Sequence, residues 1–313
     1  MKALLNRIGV FLLTVIVASI VVFLLLSILP GDAASVSLGT QASPEAVNQL
    51  RHQMGLDRPL VIRYWAWATG MLRGDMGVSA SSGVSIAAEV FQGLQVTLIL
   101  VLLAMVIALL IAFIFGILAA VYRGRAFGVI LTVASQIGVS IPAFLAGLLL
   151  VIIFSVRLKV LPATGWSSPD DAIGFLKHVT LPALSLGIVQ GAILSRYVRS
   201  SVLEVMTENY MQTARAKGLS NSQALRRHGI RNALVPIMNI AGVETASTLI
   251  GAVVVERVFE IRGLGSLLVS SVENRDLGEV QAIVMVLVLL VLLVNFLVDM
   301  LSIVVDPRLG EER

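Results

Sequence analysis

The 313-residue chain contains no cysteine and only three histidines, which lie far apart at His52, His178 and His228. Without cysteine there can be no disulfide bond, no thiolate metal site and no thiol nucleophile. A metal centre built from histidines is not expected either, because the three are scattered along the chain. Metal and thiol chemistry are therefore poor candidates for its function.

Charged residues are also scarce. They make up 13% of the chain, against about 25% in soluble domains, and 57% of the residues are hydrophobic. The mean hydropathy of +0.94 agrees with a polytopic membrane protein. Membrane topology explains the formal net charge of +4 better than nucleic-acid binding does, so no nucleic-acid partner is expected.

Long apolar segments are abundant, and a helix that crosses a bilayer needs about 20 mostly apolar residues. The first segment follows Lys2 and Arg7. Its apolar core is longer than the roughly 7–15 residues of a signal peptide, so we interpret it as a retained anchor. Six spans are predicted, the fourth being shorter than the rest: Ile8–Leu29, Val96–Tyr122, Phe127–Val156, Leu181–Val198, Ala233–Val255 and Val280–Val305.

Lysine and arginine are concentrated on one side of these spans. If the N-terminus is cytoplasmic, every predicted cytoplasmic loop obeys the positive-inside rule. Only helices or closed barrels satisfy the backbone in lipid, and these spans are too long for barrel strands. We predict an all-α membrane protein of six transmembrane helices with both termini cytoplasmic. Its parts are a tail and first span (1–29), an external helical segment (30–95), a five-helix core (96–305) with a cytoplasmic loop (199–232), and a cytoplasmic tail (306–313).

The external segment is too polar to be buried in lipid. Ser43 can cap a helix that has Pro44 at its first position and Gly55 at its end. A second helix is predicted over Leu60–Arg73, with an aromatic cluster suited to a membrane interface. This segment either lies against the bilayer or the spans, or contacts an external partner protein. The aromatic residues are Tyr64, Trp65 and Trp67.

Two spans carry ridges of small residues at every fourth position. Such ridges let another helix approach closely, so we interpret them as packing surfaces rather than ligand sites. The contacts they make are either within the chain or to a second subunit. The ridges are Ala104, Ala108, Ala112 and Gly116 in the second span, and Gly187 and Gly191 in the fourth.

A long basic loop lies between the fourth and fifth spans. Ser220 can cap a helix over Asn221–His228, Gln223 completes a capping box, and Gly229 is placed to end the helix. Upstream, small residues alternate with cations before a glycine that can form a turn. A basic helix of this kind either lies on anionic head groups or offers a docking surface to a soluble partner. The other loop residues concerned are Ala214, Arg215, Ala216, Lys217, Gly218, Leu219, Arg226 and Arg227.

The segment Thr213–Leu219 resembles the coupling loop of ABC importer permeases, most closely in the peptide/nickel family. Further similarity to that family runs through nearly the whole chain, in the expected order. Three departures are Gln212-Thr213-Ala214 in place of Glu-Ala-Ala, Val235-Pro236 lying 18 residues after Gly218 in place of the usual Ile-x-Leu-Pro, and Arg262 where the family often has proline. The other resembling segments are 29–32, 55–60, 73–79, 253–259, 260–265, 274–276 and 306–308.

The resemblance implies a type I ABC importer permease fold and a binding-protein-dependent importer in a bacterial or archaeal cytoplasmic membrane. A second homologous permease would complete the path, two ABC ATPase subunits would dock on the coupling loops, and an extracytoplasmic binding protein would deliver substrate. This chain has no P-loop, because none of its four lysines lies in a Gly-Lys-Ser/Thr sequence. ATP and Mg are therefore expected on the partner subunits, with no cofactor on this chain.

Polar residues inside the spans are candidates for the translocation path. Glu244 is the foremost, because an acid in the membrane costs roughly 2.5–3.5 kcal/mol unless it faces protein or water. Ser247 and Thr248 extend a polar stripe from it. Translocation lining and structural pairing both remain open for Glu244. Gln136 and Ser140, just before Pro142, which is expected to kink the third span, are better explained by interhelical hydrogen bonds.

Two functions compete with the importer hypothesis. An ion-coupled secondary transporter could use Glu244 as a proton carrier, but the basic loop and the family motifs argue against it. An intramembrane enzyme is disfavoured, since the spans hold no paired carboxylates, metal-ligand set or Ser/His or Ser/Lys arrangement. Peptides, glutathione, nickel chelates and opine-like solutes all remain possible substrates.

Overall fold

The computed structural model describes residues 2–28, 33–38, 43–53 and 55–305. Within these ranges the chain folds into helices joined by turns, which confirms the all-α prediction. The predicted motifs at 29–32 and 306–308 and the predicted tail lie outside the described residues. In chain order the helices are α1 Lys2–Ile28, α2 Ala33–Leu38, α3 Pro44–Gln53, α4 Leu60–Leu72, α5 Ile86–Val121, α6 Ala126–Ser140, α7 Ala143–Leu150, α8 Ala172–Thr207, α9 Asn209–Ala216, α10 Asn221–Ala224, α11 Ile230–Val258, α12 Leu264–Glu273 and α13 Leu277–Val305.

Five of the described helices are long and apolar enough to cross a membrane on their own, and a bent pair supplies a sixth candidate. The predicted third span, Phe127–Val156, is present but is broken at Pro142, the residue expected to kink it. It is α6 and α7 joined at a 101° bend, and the second part continues as a π-helical turn over Val151–Arg157. The break falls at Pro142, because proline has no N–H to donate and forces the preceding residue out of the helical region. Ile141 accordingly has extended backbone angles.

The fourth span is longer than the predicted Leu181–Val198. The predicted segment forms only the middle of α8, which has 36 residues and contains Pro182. The Asp171 side chain caps its start by accepting a hydrogen bond from the Gly174 N–H. Residues 199–207, at the C-terminal end of α8, therefore belong to the stretch that the sequence assigned to the loop 199–232.

Two compact units can be distinguished, each drawn from two stretches of sequence. The first comprises residues 1–97 and 262–293. Its apolar core contains Ile86, Val90, Leu264 and Ile283. The buried Asp276 carboxylate connects the two stretches of this unit, because it accepts hydrogen bonds from the Ser79 hydroxyl at 2.7 Å and the Ser81 N–H at 3.1 Å.

The described part of the external segment follows the predicted pattern. The Ser43 hydroxyl accepts a hydrogen bond from the Ala46 N–H at 3.3 Å, and Gly55 has a φ of +66° after α3. In α4, the Tyr64 hydroxyl lies 2.9 Å from the Ser19 hydroxyl of α1. The Phe23 ring of α1 lies 5.5 Å from the Tyr64 ring. This face of α4 therefore packs on the first span.

The second unit comprises residues 98–261 and 294–313. Here the two ridges of small residues meet. A Cβ atom added to Gly187 would lie 3.0 Å from the Ala104 carbonyl oxygen, and one added to Gly191 would lie 3.1 Å from that of Ala108. Ala112 is also buried, and Gly116 approaches the backbone of Ser195. The small residues thus let α5 and α8 approach at backbone distance.

Candidate coupling surface and intramembrane polar groups

The basic loop folds into a compact helical element that we call the coupling surface, defined as residues 209–229. It contains α9, α10 and a π-helical turn over Leu225–Gly229. The hydrophobic residues Met211, Ala224 and Leu225 are buried, as is Ala214. Leu219 is half-buried. The other members of the predicted set are exposed: Arg215, Ala216, Lys217, Gly218, Ser220, Gln223, Arg226 and Arg227.

A turn at Gly218 separates α9 from α10. Gly218 has a φ of +89°, and its N–H donates to the Arg215 carbonyl at 2.9 Å. The next N–H, of Leu219, donates to the Ala214 carbonyl at 3.3 Å. A Cβ at Gly218 would meet nothing within 4 Å, so the backbone conformation and not packing requires glycine here.

The predicted capping box is confirmed. The Ser220 hydroxyl accepts from the Gln223 N–H at 3.4 Å, and the Gln223 side-chain oxygen accepts from the Ser220 N–H at 3.0 Å. These bonds satisfy two N–H groups that a helix start leaves without intrahelical partners.

The prediction that Gly229 ends this helix is wrong. The chain continues from α10 through the π-helical turn directly into α11. A Cβ at Gly229 would lie 2.8 Å from the Leu225 side chain and 3.0 Å from that of Val205. Glycine is therefore needed for close packing of the π-helical turn on α8 and not for a helix stop.

Arg215 differs from the other exposed cations of the coupling surface. Its guanidinium donates to the carbonyl of Met206 in α8 at 3.1 Å and to that of Met211 at 3.3 Å. A second tie joins the Asn232 amide to the Tyr210 hydroxyl at 2.9 Å. Sequence reasoning missed these ties, because backbone acceptors and a tyrosine hydroxyl leave no pattern. They link the coupling surface to the ends of α8 and α11.

Glu244 in α11 is half-buried and has a partner that the sequence did not reveal. The Gln190 amide of α8 donates to the Glu244 carboxylate at 2.7 Å and to the Glu244 backbone carbonyl at 2.8 Å. Gln190 is buried, and an amide inside a span was the only signal that could have indicated it. The pair joins α8 to α11 within the second unit.

The polar stripe predicted beside Glu244 does not present one continuous face. Thr248 is buried, and its hydroxyl donates to the Glu244 carbonyl at 2.7 Å and approaches the Met105 sulfur at 3.5 Å. Ser247 is exposed. Of these two hydroxyl residues, only Ser247 is therefore accessible to a solute in the described chain.

Gln136 and Ser140 in α6 are both exposed. The Ser140 hydroxyl donates to the Gln136 carbonyl at 3.1 Å, which is a bond within the helix. The interhelical bond in this region is made by a neighbour, because the Ser195 hydroxyl of α8 donates to the Ser135 hydroxyl at 2.8 Å. Ser135 was missed since a lone serine in an apolar run carries no distinguishing signal.

We expect Glu244→Gln to lower the transport rate by roughly fivefold while leaving the amount of subunit in the membrane unchanged. Glutamine keeps an oxygen that can accept from Gln190, but a bond to a neutral acceptor is about 1 kcal/mol weaker than one to a carboxylate. Uptake per unit of membrane-inserted protein measures the effect. Glu244→Leu serves as the contrast, because it leaves the buried Gln190 amide without an acceptor and should reduce the subunit itself. A fully active Glu244→Gln variant would leave Glu244 with a structural role only.

Apolar spans joined by an exposed basic helical element are compatible with the membrane subunit of a transporter, and two known families match the chain. Residues 112–311 match the family described as "Binding-protein-dependent transport system inner membrane component". Residues 1–88 match the corresponding N-terminal family, "Binding-prot-dependent transport system membrane comp, N-term". The chain belongs to this family and is a permease subunit of an ABC importer of the peptide/nickel type.

Particular relatives extend along almost the whole chain. The protein "Glutathione transport system permease protein GsiC" of Escherichia coli (strain K12) is 38% identical over 296 residues, covering 95% of this chain and 94% of that protein. The protein of the same name from Salmonella typhimurium (strain LT2) is 38% identical over 299 residues, with the same shares covered.

Two solved structures share the fold. One is described as "Inward facing conformations of the MetNI methionine ABC transporter: CY5 native crystal form", with a TM-score of 0.57 and 19% identity over 69% of this chain and 96% of that one. The other, "Crystal structure of an amino acid ABC transporter with histidines", has a TM-score of 0.53 and 18% identity over 69% and 93%. At these identities the likeness concerns the fold alone.

Proposed function

We propose that this permease forms half of the translocation path of an ATP-driven importer for glutathione or similar short peptides. A second homologous permease supplies the other half, and an extracytoplasmic binding protein delivers the substrate. The substrate class is supported by the 38% identity to relatives named as glutathione transport permeases. In this arrangement the N-terminus and the coupling surface lie on the cytoplasmic side of a bacterial or archaeal cytoplasmic membrane, as the distribution of Lys and Arg favours.

The observation that carries the proposal is the construction of the coupling surface. Its apolar residues are buried, whereas Lys217, Arg226 and Arg227 are exposed around a glycine turn. A compact element that is hydrogen-bonded to α8 and α11 can transmit a movement of a soluble ATPase to the spans. The spans would then alternate between outward-open and inward-open arrangements. ATP and Mg are held by the ATPase subunits in this proposal.

Family membership decides between the hypotheses that the sequence left open. The family is one of binding-protein-dependent transport components, so the importer hypothesis is retained and the ion-coupled transporter is set aside. The Gln190 bond to Glu244 favours a pairing role for this acid over that of an isolated proton carrier.

The test is affinity purification of the tagged chain from its native membrane, followed by mass spectrometry. We expect two P-loop ATPases and a second permease to be recovered with it. Arg226→Glu and Arg227→Glu together should lower ATPase recovery by about tenfold or more. An ATPase surface that pairs with two cations would repel two acids, and like-charge contacts at an interface cost several kcal/mol. The second permease should be retained.

Arg123→Glu is the matched control, since Arg123 is exposed in the turn between α5 and α6 and lies outside the coupling surface. It should leave ATPase recovery unchanged. Recovery of the chain alone, with transport still active after reconstitution without ATP, would overturn the proposal. Glutathione uptake by membranes that contain the intact assembly tests the substrate class separately.

A further inference from the structure

A cavity of about 330 Å³ with both polar and apolar lining lies among α5, α6 and α8 in the second unit. It is near the C-terminal end of α5 and next to the part of α8 that leads to the coupling surface. It therefore lies towards the end of the spans from which the coupling surface projects. Its lining residues are Phe115, Ala119, Thr132, Ser135, Gln136, Ser195, Arg196, Tyr197, Arg199 and Ser200.

The Arg199 side chain lines this cavity, and one of its guanidinium donors lacks an acceptor in the described part of the chain. The Arg199 Nε atom is buried and has no hydrogen-bond partner among the described residues. A buried donor without an acceptor is costly, more so when the group is charged. Arg196 lines the same cavity one helical turn earlier and is exposed. Two cationic side chains therefore line the same cavity, and this favours binding of an anion there.

The other polar groups in the cavity do not supply that anion. The Ser195 hydroxyl donates to the Ser135 hydroxyl at 2.8 Å, and the Thr132 hydroxyl donates to the Gly128 carbonyl at 2.8 Å. None of the described lining residues is acidic. An external ligand with a strong acceptor, such as a phosphate, fits this set of donors because guanidinium groups bind phosphate oxygens in pairs.

The surface next to the cavity indicates what kind of phosphate-containing ligand it binds. The face of α6 beside the cavity is apolar and exposed, and it includes Val133 at 51% and Ile137 at 58% exposure. Both residues lie next to cavity-lining positions on this helix. An amphiphile could place its head group in the cavity and its acyl chains along this face. A free phosphate or a zwitterionic solute would leave the apolar face uncovered, and the described lining offers no acid to bind an ammonium group.

We propose that this cavity binds the phosphodiester head group of an anionic phospholipid, with Arg199 and Arg196 holding the phosphate. Basic pockets between transmembrane helices commonly hold anionic head groups at one membrane surface. The bound lipid would bridge α6 and α8, just before α8 continues to the coupling surface. The site is separate from the Gln190–Glu244 pair and from the exposed cations of the coupling surface.

The experiment is native mass spectrometry of the full chain, purified from its native membrane with the subunits it retains and then delipidated. Phosphatidylglycerol is titrated against phosphatidylcholine of the same chain length. We expect phosphatidylglycerol to bind preferentially, and Arg199→Gln to weaken this binding by about tenfold, the loss of one charged hydrogen bond. Arg123→Gln is the control, because it removes an exposed cation next to the span ends without touching the cavity.

A second variant guards against a folding defect in Arg199→Gln. Gln136→Glu adds a negative charge at the exposed rim of the cavity with almost no change in shape, and it should also weaken phosphatidylglycerol binding selectively. Equal binding of the two lipids, or equal losses in Arg199→Gln and Arg123→Gln, would overturn the proposal. Displacement of phosphatidylglycerol by millimolar inorganic phosphate would overturn the lipid assignment, since it would show a site for the free anion.

Discussion

Substitution of Gly218 by proline is expected to lower substrate uptake by about 100-fold. Gly218 has a φ of +89°, whereas the proline ring holds φ near −65°, so the turn between α9 and α10 cannot form. Proline also removes the N–H that donates to the Arg215 carbonyl at 2.9 Å. Backbone strain and the lost bond together amount to roughly 3 kcal/mol, which sets the expected loss. Uptake of labelled substrate, normalised to the amount of assembled subunit, measures it.

The same position provides its own control. Gly218→Asn should retain most of the uptake, because asparagine tolerates the left-handed region better than other non-glycine residues. A side chain has room there, since a Cβ at this position would meet nothing within 4 Å. If Gly218→Pro transports normally with its ATPases bound, the turn has no part in coupling. If Gly218→Asn fails as badly as the proline variant, side-chain bulk at the docking surface and not the turn is the cause.

Gly191→Leu is expected to reduce the amount of subunit in the membrane by roughly tenfold. A Cβ at Gly191 would lie 2.7 Å from the Ile111 Cβ and 3.1 Å from the Ala108 carbonyl oxygen of α5. Backbone atoms cannot move aside independently, so a larger side chain must force α5 and α8 apart. Overpacking costs about 1–3 kcal/mol or more, and losses of that size change cellular abundance several-fold or further. Quantitative immunoblotting of membranes, with thermal stability in detergent, measures the effect.

Gly9→Leu is the matched control for this substitution. Gly9 also lies in an apolar helix, but a Cβ there would meet nothing within 4 Å. The subunit level should therefore remain close to that of the unmodified chain. Equal losses in the two variants would show that leucine in a span, and not the contact between α5 and α8, is responsible. An undiminished level for Gly191→Leu would contradict the packing described for these helices.

Local features of the fold could be predicted because they depend on residues within one helical turn. The capping box at Ser220 and Gln223, the start of α3 at Pro44 and the turn at Gly218 are of this kind. Prediction failed at Gly229, where glycine has two possible roles. It can end a helix or permit close packing, and the choice depends on Val205 and Leu225, which pack against it.

The candidate sites were predicted less completely than the helices. Glu244 was identified because an acid in a span is costly, but its partner Gln190 lies 54 residues away and was not. The cavity beside Arg199 was also missed, since three helices contribute to it. In both cases the missing information is the rotation of each helix about its own axis, which decides which side chains meet.

The sequence by itself determined that this protein is helical and membrane-embedded, how many apolar segments it has, and that a capped basic element follows the fourth. Hydrophobic length, capping and glycine turns are properties of short stretches, so they can be read without knowing what packs where. Only the tertiary structure decided that the ridges of α5 and α8 face each other, that Gln190 binds Glu244, and that the bend expected at Pro142 reaches 101°. Those outcomes depend on close packing between helices distant in sequence, where a displacement of about an ångström exchanges one set of contacts for another.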